Sequence, residues 1–523
     1  MRTASILIFV VVTGTGGEIC LTHAMKLLGE VHDFRPRAIA AFVLRALKVG
    51  WLWFGVLLMT ASFFSFLAML SWFPVSFVIP ATSLAYVAGA FGAKIFLGEQ
   101  LNGTRWAGIL LICCGVAMAW VDDLPTSVHW PSAFEFVRWT ILALALAPLV
   151  YYLLAIFSAW RFFRLAHRVS DRAANSAQGA AAPISVLKPV RGLDPHAYEN
   201  FASFCRQVYP EFEILFAVAD AVDPVIPVID KLIGDFPGRA IRLLVVDERL
   251  GPNSKVSNLC RLVREARHDL LVITDSDVHV DPGYLQSVAE MFRGPNVGGV
   301  TALYCGHENL GFVAAMDCVG SSAAFCGSAL VARELEGLKF MMGSTMATTK
   351  QRLAEIGGFE AMVDLHSDDY ELGRRIAERG YCIELLPDPV QMAFPTQTLG
   401  EYLRHELRWA IGIRNIRPRG HLGMLFTHGL PWAIAAACVA PSMTVAAAYL
   451  AAYFLVRFAM GWTVGIWGLR DPVLRRWLWV LPIRDLLSFF VWLASFGVNR
   501  IEWRGSAFTL EKGRMAPVAP RIK

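Results

Sequence analysis

Two pairs of acids and a late basic–aromatic pair carry the chemistry in this chain. Asp275-Ser276-Asp277 follows directly on Leu270-Leu271-Val272-Ile273-Thr274, an apolar run that reads as a buried strand. Carboxylates at alternate positions beyond a strand's carboxyl end are placed to hold a divalent cation, Mg²⁺ or Mn²⁺, and through it a diphosphate. Two acids there are costly without such a partner. Asp277 is the first candidate for the metal, and Asp275 for the metal or a ribose. In Ser367-Asp368-Asp369-Tyr370, Asp369 is the candidate general base and Asp368 its support. A hydroxyl is a poor nucleophile at neutral pH, and removing its proton as it attacks lowers the barrier. The same acids also read as the start of a helix through Leu372–Ile376, which itself orients a carboxylate. Last comes His405-Glu406-Leu407-Arg408-Trp409. His405 is a candidate hydrogen-bond donor to an anion, and Arg408-Trp409 belongs either to the site or to an interfacial anchor.

These residues need a rigid frame. From about residue 183 to 400, short β-rich runs alternate with amphipathic stretches. Strands are expected at Ile184–Leu187, Glu213–Ala219, Ile241–Val246, Leu270–Thr274 and Gly299–Ala302. Helices are expected at Tyr198–Val208, Val225–Asp235, Lys255–Ala266 and Pro282–Phe292. That alternation predicts an α/β domain with a mixed, mostly parallel sheet that binds ligands at its strands' carboxyl ends. Lys188 and Arg191, after the first strand, are candidates to steer an anionic ligand. Asp220 ends the second strand and reads as a ligand contact or a turn residue. Lys255 opens a helix after Gly251-Pro252-Asn253-Ser254 and reads as a phosphate contact or a solvated lysine. His279 is either a third metal ligand or a packed histidine.

The rest of the chain is too apolar for a soluble protein. Its 523 residues are 55% hydrophobic, and the mean hydropathy is +0.48. Membrane-spanning helices are expected at about 4–22, 50–70, 75–97, 105–121 and 136–158. Two more fall within about 428–468 and one at about 478–498, interrupted by Arg457, Pro482, Arg484 and Asp485. The domains are therefore 1–122, a four-helix membrane unit; 123–182, a fifth helix and linker; 183–400, the α/β domain; and 401–523, an interfacial segment with carboxyl-terminal membrane helices. Lys26, Arg35, Arg37, Arg45 and Lys48 put the first loop in the cytosol. Counting spans from there puts the α/β domain in the cytosol too. The net charge of +5 is spread out, which excludes a nucleic-acid stripe. The ten cysteines show no paired-thiol spacing.

Residues 183–515 resemble the inverting family-2/21 glycosyltransferases with the GT-A nucleotide-sugar fold, above all the ceramide glucosyltransferase-like and bacterial hopanoid-biosynthesis enzymes. The resemblance is carried by Leu187-Lys188-Pro189-Val190-Arg191-Gly192, Val218-Ala219-Asp220, Gly251 to Leu259, Asp275-Ser276-Asp277, Ser367-Asp368-Asp369-Tyr370, Arg408-Trp409 and Glu502-Trp503-Arg504-Gly505. It implies an inverting transfer from a UDP-sugar, UDP-glucose or UDP-N-acetylglucosamine, to a lipid hydroxyl in a bacterial inner membrane. Asp220 would meet uracil or ribose. His405 stands where the family's motif has Gln or Arg, which points to single sugar addition. Residues 1–122 resemble EamA or small multidrug-resistance transporter units, through Glu18, Lys26, Pro80-Ala81-Thr82-Ser83 and Gly98-Glu99. Glu18 is the transport candidate, and such units imply a homodimer. The alternative class is a lipid transporter or flippase with a regulatory glycosyltransferase-like domain; it would need Glu18 and dispense with Asp369.

Overall fold

The computed structural model describes residues 2–28, 49–73, 75–83, 85–90, 133–173, 182–246, 248–294, 296–307, 310–503 and 506–518, with short pieces at 42, 45–47 and 108. The chain divides into two compact units, Met1–Pro131 and Ser132–Lys523.

In the first unit, helices Arg2–Leu28 and Gly50–Trp72 meet where each offers a glycine. A Cβ on Gly17 would lie 3.0 Å from the Gly55 carbonyl, and one on Gly55 would lie 3.0 Å from that of Gly17. Small residues of this kind let helix backbones approach closely. Glu18, next to the contact, is exposed. Of the third expected span only helix Val75–Thr82 and residues 85–90 are described. The fourth lies almost wholly outside the described residues.

The second unit is built on a seven-stranded sheet. Its strands are β1 (Ile184–Pro189), β2 (Phe212–Val218), β3 (Ala240–Val245), β4 (Leu270–Ile273), β6 (Val297–Thr301), β8 (Met346–Thr349) and β9 (Cys382–Leu385), in the order β3-β2-β1-β4-β8-β6-β9. A smaller sheet joins β5 (Val278–His279), β10 (Val390–Met392) and β7 (Tyr304–Gly306). β1 pairs in parallel with both β2 and β4, and β8 alone runs antiparallel to its neighbours. The mixed, mostly parallel sheet predicted from sequence is thus present. Its central strands are buried along their whole length, as parallel strands covered on both faces must be. The chain leaves β1 toward β3 and returns to β4 on β1's other side. The crevice between the carboxyl ends of β1 and β4 is therefore a topological switch point, where such sheets bind ligands.

Between β7 and β8 lies a helix absent from the sequence expectations. It runs Phe312–Val319, loosens to π geometry over Gly320–Phe325, and continues as Cys326–Glu336. It is long and apolar enough to cross a membrane, yet 72% of its most apolar stretch is buried inside the protein.

Among the described residues, four further helices have the length and hydropathy of membrane spans: Gly50–Trp72, Phe134–His167, Met443–Gly468 and Pro472–Gly497. The pair Pro418–Thr427 and Gly429–Val439 is bent by 54°. Two residues that break the apolar pattern answer each other. Arg457 donates to both Asp485 oxygens at 2.6 and 2.9 Å, and Tyr453 adds a third bond at 3.0 Å. Pairing is how apolar surroundings tolerate such groups.

A meander unforeseen in the sequence closes the chain: β11 (Arg500–Trp503), β12 (Ser506–Glu511) and β13 (Arg514–Pro517). Its Ile501, Phe508, Leu510 and Met515 pack on Ile411 of helix Leu399–Ile416.

Candidate active site

Five segments converge on the crevice. From β1 comes Arg191; from the loop after β4 come Asp275, Ser276 and Asp277. Helix Ser254–Glu265 brings Lys255, and helix Asp368–Glu378 brings Asp368 and Asp369 at its first turn. Helix Leu399–Ile416 brings His405, Arg408, Trp409, Gly412, Ile413 and Ile416 on one face, spaced by three and four residues. That helix starts from a capping box in which Thr398 and Glu401 satisfy each other's backbone N–H groups.

The Gly-Pro-Asn-Ser-Lys turn is fixed by the acidic loop it faces. Asn253 caps its own helix by accepting from Val256 N at 3.2 Å. Its amide donates to the Leu365 carbonyl at 2.8 Å, and its backbone N–H to Val363 at 3.0 Å. On the loop's other side the meander donates from Met515 N to Asp364 O at 2.8 Å and accepts from His366 N at 3.0 Å. Residues 363–366 are thereby held from both sides, just before the acids at 368 and 369.

Lys255 lies between the acid pairs, 2.8 Å from Asp275 Oδ1 and 3.1 Å from Asp368 Oδ2. Burial works against its charge, but Asp275, Asp368 and Asp369 more than offset that and hold the ammonium above its ordinary range. Asp369 accepts from Tyr370 N at 2.8 Å and from Gly343 N at 3.2 Å. Burial first, and then Asp368, push it up to about 6, against the pull of Lys255. Gly343 also accepts from Asp275 N at 3.3 Å, so one glycine bridges the two acid pairs. His366 is driven down to about 4 by burial and by Arg408, and is neutral at physiological pH.

Two joined cavities result. The first, about 480 Å³, is lined by Arg191, Asp194, Asp277, Asp317, Thr396 and His405. The second, about 330 Å³, is lined by Phe325, Phe340, Met341, Met342, Ile413 and Ile416, with Asp369 and His366. Lys255, Asp275, Asp368, Arg408 and Trp409 line both.

Not every expected residue faces the cavities. Lys188 is fully buried beneath the β4 loop and lines neither, which corrects its steering role. Its ammonium donates to the Asp275 carbonyl at 3.1 Å and lies 3.8 Å from the Phe204 ring centre. Burial pushes it down to about 7 against the attraction of Asp277 and Asp275. Asp220 is exposed and accepts from Val222 N at 3.0 Å, as a turn residue does; its neighbour Ala219 lines the first cavity instead. His279 stacks on His307 at 5.9 Å and lines neither cavity.

The acids suit a hard cation. Among the described residues, no three His, Cys, Asp or Glu side chains form a ready metal site. A Mg²⁺-type ion needs less, because it takes one or two carboxylates and completes its shell with phosphate oxygens and water. Asp275 and Asp277, both on the first cavity, fit that pattern.

Sequence reasoning missed Asp317, Gly343 and Phe325. Asp317 is 2% exposed and accepts from His405 Nδ1 at 3.0 Å. An acid inside Phe312-Val313-Ala314-Ala315-Met316-Asp317-Cys318-Val319 was the available signal, since a charge in an apolar helix needs a partner.

Residues 140–516 match the model of Glycosyl transferase family 21. The chain belongs to that family. It is a glycosyltransferase, and the GT-A-like arrangement expected from its sequence is the one its mixed sheet and switch-point crevice display. Over 347 residues it is 26% identical to ceramide glucosyltransferase 1 of Caenorhabditis elegans, covering 63% of this chain and 72% of that protein. It spans 52% of ceramide glucosyltransferase 3 of the same organism. The ceramide glucosyltransferase of Gibberella zeae is 34% identical over 141 residues, 25% of this chain and 27% of that one. Among solved structures, the mannosyltransferase PcManGT of Pyrobaculum calidifontis, in complex with GDP-Man and Mn²⁺, aligns with TM-score 0.37 and 19% identity over 68% of this chain and 99% of its own.

Proposed function

We propose that this enzyme transfers a single sugar from a UDP-sugar, UDP-glucose or UDP-N-acetylglucosamine, to the hydroxyl of a ceramide- or hopanoid-like lipid, with inversion, at the cytosolic face of a bacterial inner membrane. The observation that carries the reading is the pair of joined cavities. The first adds Arg191 and Asp277 to the cations and carboxylates the two share, and suits a nucleoside diphosphate. The second adds Phe325, Phe340, Met341, Ile413 and Ile416, and Asp369 lines only that one.

The donor's diphosphate lies against Arg191, Lys255 and Arg408, whose charge compensates the phosphates. Asp275 and Asp277 would hold Mg²⁺ or Mn²⁺, which when bound offsets the charge that builds on the leaving diphosphate. The lipid's apolar portion packs against Phe325, Phe340 and the methionines, bringing its hydroxyl to Asp369. Asp369 takes the hydroxyl proton as the oxygen attacks. A carboxylate held near 6 is ionised at neutral pH yet more basic than an ordinary aspartate, which suits it to that task. Attack from the apolar side, opposite the diphosphate, inverts the anomeric carbon.

The reading is tested by offering membranes labelled UDP-glucose or UDP-N-acetylglucosamine with ceramide or hopanoid, then extracting lipids. Label is expected in one lipid, lost with a chelator and restored by Mg²⁺ or Mn²⁺. No labelled lipid from either donor contradicts the reading. The role of residues 1–122 is separable: if they move the product, Glu18→Gln spares transfer but abolishes product in the outer leaflet, and equal outer-leaflet product refutes transport.

A further inference from the structure

The first cavity contains an acid–histidine pair that the proposed chemistry does not use. His405 Nδ1 lies 3.0 and 3.2 Å from the two Asp317 oxygens. Thr396 donates its hydroxyl to Asp317 at 3.2 Å, fixing the carboxylate from the other side. The ring is held further by Trp409, edge-on at 6.0 Å. Asp317, Thr396 and His405 line the first cavity and not the second.

The charge of this unit decides what it can meet. A neutral His405 over an ionised Asp317 is net negative, and a protonated one is only neutral. Neither attracts a diphosphate in a cavity that already offers Arg191, Lys255 and Arg408. The pair is built instead for a neutral polar group. With Nδ1–H donating to Asp317, Nε2 is left as an acceptor, and the hydrogen bond at one ring nitrogen fixes the role of the other. Trp409, one turn along the helix from His405, lines both cavities and so marks their junction, where the sugar must lie between diphosphate and acceptor.

We propose that His405, oriented by Asp317, accepts a hydrogen bond from a hydroxyl of the transferred sugar and so reads the identity of the donor. Asp317 is a positioning residue. The proposal rests on the donor reading of the first cavity given above. His405 is a short, rigid acceptor held by the Asp317 carboxylate beneath it.

A site built to bond a hydroxyl discriminates strongly against an analogue lacking it, because the protein group is left unpaired. The test is a series of deoxy analogues of the accepted UDP-sugar, each hydroxyl removed in turn, with kcat/KM measured for the wild type, His405→Ala and Asp317→Asn. In the wild type one analogue is expected to lose about a hundredfold. In His405→Ala that penalty collapses to within about threefold, while the acceptor's KM stays within about twofold. Asp317→Asn gives an intermediate penalty, and adding it to His405→Ala has no further effect, as expected of two residues acting as one unit. Deoxy penalties unchanged in His405→Ala overturn the proposal while the glycosyltransfer reading stands. A wild type that transfers no sugar from any UDP donor overturns both. Should Asp317→Asn fail to fold, the partly exposed His405 still decides the question alone.

Discussion

Adding one methyl group at Gly343 should nearly silence the enzyme without unfolding it. A Cβ built there lies 2.6 Å from Asp275 Oδ2 and 3.7 Å from Asp369 Oδ2. Ordinary carbon–oxygen contact needs roughly 3.3 Å, so something must yield by about 0.7 Å. The neighbour on one side is the proposed metal ligand, and Gly343 N also donates to the proposed base at 3.2 Å. Gly343 has no positive φ, so its backbone accepts alanine. The strain therefore falls on the acids. Misplacing reacting groups by such a distance costs on the order of a hundredfold in rate, equivalent to about 2.7 kcal/mol of barrier. Sugar transfer by Gly343→Ala should fall by about that factor, with a melting temperature within a few degrees of wild type. Gly283→Ala serves as the control, since nothing lies within 4 Å of its Cβ. Full activity in Gly343→Ala would refute the claim that this glycine sets the spacing of the two acid pairs.

Three further outcomes follow from the same geometry. Transfer should fall as pH drops through about 6, because burial and Asp368 hold Asp369 there and only its carboxylate can take a proton; a rate unchanged down to pH 5 would remove Asp369 from the role. Asn253→Ala removes a helix cap and the bond to Leu365, so a loss of about 1 kcal/mol in stability should accompany weaker transfer, measured by melting and rate together. Met515→Ala should open the packing of the meander on Ile411, costing about 2 kcal/mol or more, and should lower activity through the loop at 363–366 that Met515 N holds.

Much of the α/β framework could be read from the sequence because local pattern and tertiary position agree there. β1 and β2 are β-rich runs and β4 is a continuous apolar one, each bounded by turn residues, and the acids directly after β4 could hardly be elsewhere than at a strand's end. The helix after Asn253 announced itself by the Gly-Pro-Asn-Ser turn that precedes it. What stayed hidden depends on contacts distant in sequence. Helix Phe312–Glu336 has the length and hydropathy of a membrane span, and its burial inside the protein is visible only in the fold. Gly343 looks like any loop glycine until Asp275 and Asp369 are brought against it. Lys188 sits in a run that suggested a ligand contact, yet β1 buries it beneath Asp275. The meander's strands are short, and they become strands by pairing with one another over helix Leu399–Ile416.

The central claim is that Asp369 takes the proton of the lipid hydroxyl in a site that otherwise holds the donor. It is tested most directly by single-turnover transfer of labelled sugar to lipid by wild type and Asp369→Asn, with UDP affinity measured on both proteins. The account predicts a loss of at least about a thousandfold in transfer, with UDP affinity within a few-fold because Asp369 lines only the second cavity. Transfer within tenfold of wild type in Asp369→Asn would contradict it.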